Sequence, residues 1–95
     1  MTDLSPDRFH AVRRAAEAAV FKAKTLSAEE RDKLGTIDWN DLRVGEVTHC
    51  RSEYGDTWFL VDVGKASPQA MLGYFVCVEV AKALPGARIE VRTGW

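Results

Sequence analysis

Val44 to Val63 reads VGEVTHCRSEYGDTWFLVDV, and the pairing within this stretch decides the fold. β-Branched and aromatic residues crowd Val44–Tyr54 and Thr57–Val63, with the turn formers Gly55-Asp56 between them. That is the pattern of two strands joined in a hairpin. A two-residue turn at Gly55-Asp56 puts Cys50 opposite Val61 and His49 opposite Asp62. In that register Phe59, Val61 and Val63 share a face with Thr48, Cys50 and Ser52. The other face carries Trp58, Leu60 and Asp62 with His49, Arg51 and Glu53. A three-residue loop instead exchanges the two faces of the first strand, because side chains alternate with period two.

Downstream, Ser67-Pro68 is a helix-start signal, serine as a cap and proline where no N–H is needed. The helix is expected from Pro68 to about Leu84, ended by Pro85-Gly86. Leu72, Phe75, Val76, Val80, Ala83 and Leu84 form its main apolar stripe. Met71, Tyr74, Cys77, Val78 and Ala81 fill much of the rest, and only Gln69, Glu79 and Lys82 are strongly polar. A helix apolar nearly all round is buried on more than one side. Either the N-terminal helix packs over it or a second subunit does, and Met71, Tyr74, Val78 and Ala81 are the candidate oligomer contacts. Arg88–Arg92 alternates as a strand with Ile89 and Val91 facing inward. The connection through the helix is long enough for a right-handed crossover. Trp95 is expected to pack on its own domain or on a neighbour.

Upstream, Ser5-Pro6 opens a helix whose apolar residues recur at Phe9, Val12, Ala16, Ala19, Ala23 and Leu26, the seam of an amphipathic helix. Ser27-Ala28-Glu29-Glu30 is a capping box that starts a second helix, expected to run to about Leu34 and to stop at Gly35. Ile37–Leu42, with Trp39 inside it, reads as a connection or a short edge strand. The expected fold class is therefore α+β, in the order helix, helix, strand, strand, helix, strand, with a small sheet of about three strands packed by helices. It occupies 1–95 as one domain, residues 1–34 being the helical part and 44–95 the strand-strand-helix-strand unit.

The 95 residues are 46% hydrophobic and 28% charged with a net charge of -1, values of an ordinary globular domain. They exclude a disordered tail, a collagen-like chain and a disulfide scaffold. The first twenty residues hold no apolar signal core, and the longest apolar run, Ala70 to Val78, is far short of the ~20 residues a membrane span needs. A soluble cytoplasmic protein without membrane contact is expected, with Cys50 and Cys77 as reduced, packed thiols. The alanine-rich, arginine-containing first helix points to a GC-rich bacterial genome. Residues 35–64 hold six acidic and two basic groups, a pattern of solvated strand edges and turns, or alternatively of a surface that faces a basic partner.

Several residues are candidates for function. Trp58 and Leu60, with Arg51, Arg88, Arg92 and Trp95, suit a partner surface, since aromatic and arginine side chains concentrate at interface cores. The same Trp58, Arg51, Arg88 and Arg92 suit a single-stranded nucleic acid, bases on the indole and phosphates on the guanidinium groups. Gly64, Lys65 and Ser67 join a strand to a helix start, where free amides and a lysine suit an anion, although the phosphate-loop pattern G-x-x-x-x-G-K-[ST] is absent. His49 and Cys50 are adjacent strand residues pointing to opposite faces, and the sequence has no CxxC or HxxxH spacing. No metal site and no cofactor are expected. His49 opposite Asp62 is expected as an ion pair.

LSAEERDKL at 26–34, followed by WNDL at 39–42, resembles the opening of the pterin-4a-carbinolamine dehydratases, a family with an α+β fold that oligomerises. The resemblance covers only about residues 26–42. The family's catalytic His-His-Pro after its long helix is missing, since Leu84-Pro85-Gly86-Ala87 stands there. No activity and no site residue are carried over from it.

The leading expectation is a non-enzymatic interaction or assembly module, self-associating through the helix 68–84 or the Trp58 sheet face. The alternatives are a single-stranded nucleic-acid binder on that face, and an enzyme or ligand binder with an intersubunit pocket around His49, Asp62 and Arg51.

Overall fold

The computed structural model describes residues 6–67 and 71–94. Within them the order is α1 (Pro6–Lys24), α2 (Ala28–Lys33), β1 (Val47–Arg51), β2 (Thr57–Asp62), α3 (Leu72–Ala83) and β3 (Ile89–Arg92). This is the α+β arrangement the sequence implies, with three helices and one three-stranded sheet in the order β1-β2-β3.

The alanine seam of α1 is realised. Val12, Ala16, Ala19 and Ala23 are all buried, and their small side chains let α3 approach closely. Thr25 closes the helix by donating its hydroxyl to the Lys22 carbonyl at 2.8 Å. Ser27 then caps α2, accepting from the Glu30 amide at 3.2 Å while its hydroxyl donates to the Glu30 carboxylate at 3.2 Å. Gly35, at φ 104°, takes the left-handed turn that ends this helix.

The hairpin departs from the two-residue turn. Ser52 donates its amide to the Asp56 carbonyl at 2.8 Å, and Gly55 donates to the Ser52 carbonyl at 3.1 Å. The loop is therefore the three residues Glu53-Tyr54-Gly55, with Gly55 at φ 92° supplying the left-handed position that such a loop needs. The Ser52 hydroxyl oxygen accepts from the amides of Tyr54 and Asp56, at 3.2 and 3.1 Å, and holds the turn together. Cys50 consequently pairs with Trp58 and His49 with Phe59, not with Val61 and Asp62. The shift is by an odd number of residues, so β1 presents the opposite faces from those of the two-residue reading.

β1 is also shorter than Val44–Tyr54. Gly45 donates to the Asp62 carbonyl at 2.6 Å while Asp62 donates to the Glu46 carbonyl at 3.0 Å, so two residues face one and the regular ladder stops there. A Cβ on Gly45 would stand 3.3 Å from the Asp62 carbonyl oxygen. Arg13 of α1 donates to the Gly45 carbonyl at 2.7 Å, tying the helix to this bulge.

β3 lies parallel to β2, Phe59 beside Ile89 and Val61 beside Val91, with α3 as the crossover. The described part of α3 begins at Leu72 with Met71 at its N-cap and no side-chain cap; the Pro68 start lies outside the described residues. Leu84 ends the helix, and Gly86, at φ 87°, turns the chain into β3. The core forms between α1, α3 and one face of the sheet. It gathers Val12, Ala16, Phe59, Val61, Leu72, Val76 and Val80. Leu42 is fully buried, and Ile37 bridges to Ala66, so Ile37–Leu42 is a connection that enters the core. Trp39 packs against that core under the Arg31 guanidinium, 5.5 Å from the ring centroid.

Candidate functional site: the uncovered face of the sheet

Alternation and register divide the sheet into two faces. Val47, His49, Phe59, Val61, Ile89 and Val91 point to the helices. Cys50, Trp58 and Leu60 point away from them with Thr48, Asp62, Glu90 and Arg92. Phe59 and Val61 are in the core, and Val47, Ile89 and Val91 pack against it, whereas Trp58 and Leu60 belong to neither group. Trp58 and Leu60 are half-buried on the second face and lie outside the core that α1 and α3 form with the first.

Its layout is three rows across three strands. Thr48, Leu60 and Glu90 pair across all three strands; Asp62 pairs with Arg92 and donates to the Glu46 carbonyl at the bulge, and Cys50 pairs with Trp58, beside Arg88, whose carbonyl accepts from the Phe59 amide. The Thr48 hydroxyl donates to the Glu46 carboxylate at 3.1 Å, and an Asp62 carboxylate oxygen accepts from the Gly64 amide at 3.1 Å. Arg88 meets Asp56 at 3.8 Å, both largely exposed. The central strand thus presents Trp58, Leu60 and Asp62, with Glu46, Thr48 and Cys50 on one side and Arg88, Glu90 and Arg92 on the other. The indole N–H of Trp58 is shielded from solvent and has no hydrogen-bond partner among the described residues. Trp58 also lines a groove of about 560 Å³ that reaches Cys77 and Ala81 of α3 beside Arg88, Ile89 and Glu90.

The structure therefore brings Trp58, Leu60, Arg88 and Arg92 together as expected, and separates Arg51 from them. Arg51 pairs with Thr57 at the exposed end of the helix-side face. Trp95 lies outside the described residues. Glu46, Thr48 and Cys50 take the places opposite Asp62, Leu60 and Trp58 that were expected for His49, Arg51 and Glu53. The signal that would have found them is Ser52, a residue that caps its own turn.

His49 and Asp62 are on opposite faces, so the expected ion pair does not form, and a pocket combining His49, Arg51 and Asp62 of one chain is not assembled. Met71, Tyr74, Val78 and Ala81 do fall on one side of α3, away from the buried Leu72, Val76 and Val80. Tyr74 is 67% and Met71 52% exposed. The Gly64–Ser67 turn is committed to the fold. Gly64 donates to Asp62, Ala66 to the Gly94 carbonyl and Ser67 to the Thr36 carbonyl, and Gly64 and Lys65 both have positive φ. Those three amides are not available to an anion.

Both cysteines are free and half-buried. Burial pushes the Cys77 thiol above its ordinary value, against a smaller opposing pull from a Val91 backbone hydrogen bond. Among the described residues no group of three or more His, Cys, Asp or Glu side chains is placed to hold a metal, and no helix is long and apolar enough to cross a membrane. Comparison with protein families, with curated proteins and with solved structures gives no match.

Proposed function

We propose that this protein is a non-enzymatic assembly module that associates with a second copy of itself through the uncovered sheet face. The observation that carries this reading is the exclusion of Trp58 and Leu60 from the core. An apolar sheet face is stable when another layer buries it, and this chain places both of its sheet-packing helices on the opposite side. The two free thiols suit a reducing cytoplasm. The stripe of exposed Met71, Tyr74 and Ala81 with half-buried Val78 offers a second surface on which an assembly can grow.

A nucleic acid on the same face is disfavoured by its charge. Glu46, Asp62 and Glu90 are interleaved with Arg88 and Arg92, and backbone binding needs clustered cations. The test is sedimentation velocity of the full chain over a hundredfold concentration range, beside Leu60→Asp. Reversible association in the parent chain that disappears in the variant supports the reading. A parent chain that stays monomeric throughout refutes it.

A further inference from the structure

Arg92 pairs with Asp62, and Glu46, at the β1 bulge opposite Asp62, accepts from the Thr48 hydroxyl of the open face, so Glu46 and Arg92 stand on either side of Asp62. Neither makes an ion pair among the described residues. We infer that two copies pair face to face about a two-fold axis running along β2, which sets Glu46 of each copy over Arg92 of the other. The inference rests on the self-association reading and adds its geometry and its charge contacts.

Two simple two-fold arrangements bring identical three-stranded faces together. An axis across the strands lays each outer strand on its own counterpart and reverses the rows. Arg88 then meets Arg92 of the other copy twice, and Glu90 meets Glu90, so like charges are apposed at three places. An axis along the strands keeps the rows and exchanges the outer strands. Glu46 then meets Arg92 twice, Leu60 meets Leu60 and Trp58 meets Trp58. Asp62 meets Asp62, but each has a carboxylate oxygen engaged by Gly64 and lies beside an Arg92. Sheets packed face to face lie about 10 Å apart, a gap that glutamate and arginine side chains span together. A two-fold interface must be complementary to itself, and only the second arrangement makes this charge pattern so.

The face is small. Three strands each ~4.8 Å wide and five residues of ~3.3 Å each give a footprint of roughly 15 by 17 Å, well under the ~800 Å² per partner of a standard interface. The dimer is therefore expected to be reversible and concentration-dependent.

The test is a charge exchange, read as the dimer dissociation constant by sedimentation velocity, with circular dichroism confirming that each variant is folded. Glu46→Arg and Arg92→Glu alone are each expected to weaken the dimer about tenfold, and the double variant to return within about threefold of the parent chain. A double variant no tighter than the weaker single one, or single variants without effect, overturns the axis along β2. If Leu60→Asp still abolishes association in that case, the self-association reading survives and only its geometry fails. A parent chain that never dimerises overturns both.

Discussion

His49 stands directly opposite Phe59 in the β1–β2 ladder, its imidazole edge-on to the phenyl ring with centroids 5.0 Å apart and planes at 73°. Phe9 of α1 meets the same phenyl ring at 5.2 Å and 89°. The histidine therefore serves as the third aromatic of a packed cluster. Aromatic pairs of this kind are worth about 0.5–1.5 kcal/mol beyond their buried area. His49→Ala is expected to lower stability by about 1 kcal/mol in urea unfolding, with the association constant unchanged. A large loss of association would place His49 at the interface instead.

Adjacent residues of β2 should respond very differently to the same change. Phe59 is 4% exposed in the core, and truncating such a residue costs about 3–5 kcal/mol. That is a large part of the ~5–10 kcal/mol available to a small domain. Phe59→Ala should largely lose its cooperative transition. Leu60→Ala, measured in dilute protein, should cost under ~1 kcal/mol, as a substitution outside the core does. Equal losses at both positions would mean that the second face is covered within the chain.

The element order was legible because each boundary carries a strong local signal. Ser27 and Glu30 form the capping bonds, Gly35 and Gly86 take positive φ, and the seam from Val12 to Ala23 is buried at helical spacing. Half of the open face was legible too. Trp58, Leu60 and Arg92 follow from β2 and β3 alternation alone. The β1 half was not, because its face depends on a single residue of loop length. Gly55-Asp56 is a good two-residue turn in isolation, and what displaces it is the pair of amides held by the Ser52 hydroxyl. The bulge at Gly45 depends on the backbone of Asp62, a residue seventeen positions away, and no local pattern reports it.

Gly55 offers a direct check on that loop. A Cβ there would touch nothing within 4 Å, yet φ is +92°, so a substitution is strained by conformation alone. Gly55→Ala should cost about 1–2 kcal/mol, the penalty of a left-handed L-residue. Gly55→Asn should cost less, since asparagine tolerates that region better. Equal costs for the two would point to a collision rather than to backbone conformation.

The thiols separate the two sides of the sheet. Cys77 is a deprotonation-resistant thiol between α3 and β3, and the thiolate is the form that alkylates. At pH 8 Cys77 should react with iodoacetamide several-fold more slowly than Cys50 in dilute protein. At high concentration Cys50, paired with Trp58 on the open face, should become protected while Cys77 is unchanged. Rates at Cys50 that ignore protein concentration would argue against burial of that face.

Glu79 joins the two long helices, holding Lys22 of α1 at 3.0 Å and Lys82 of α3 at 3.1 Å. The hydrogen bond from Lys22, and then that from Lys82, holds its carboxyl below the ordinary carboxylate value of 4.5. A carboxyl with a lowered folded-state pKa adds stability that is fully present above its unfolded value and is lost as pH falls through the folded one. The contribution is small, since both lysines are more than half exposed and solvent screens such pairs. Glu79→Gln should therefore be slightly less stable than the parent chain at pH 7, and the gap should close between about pH 5 and pH 3. Added salt should narrow the gap at pH 7 as well. A gap that stays constant from pH 3 to 7 would assign the effect of Glu79 to packing between α1 and α3 rather than to its charge.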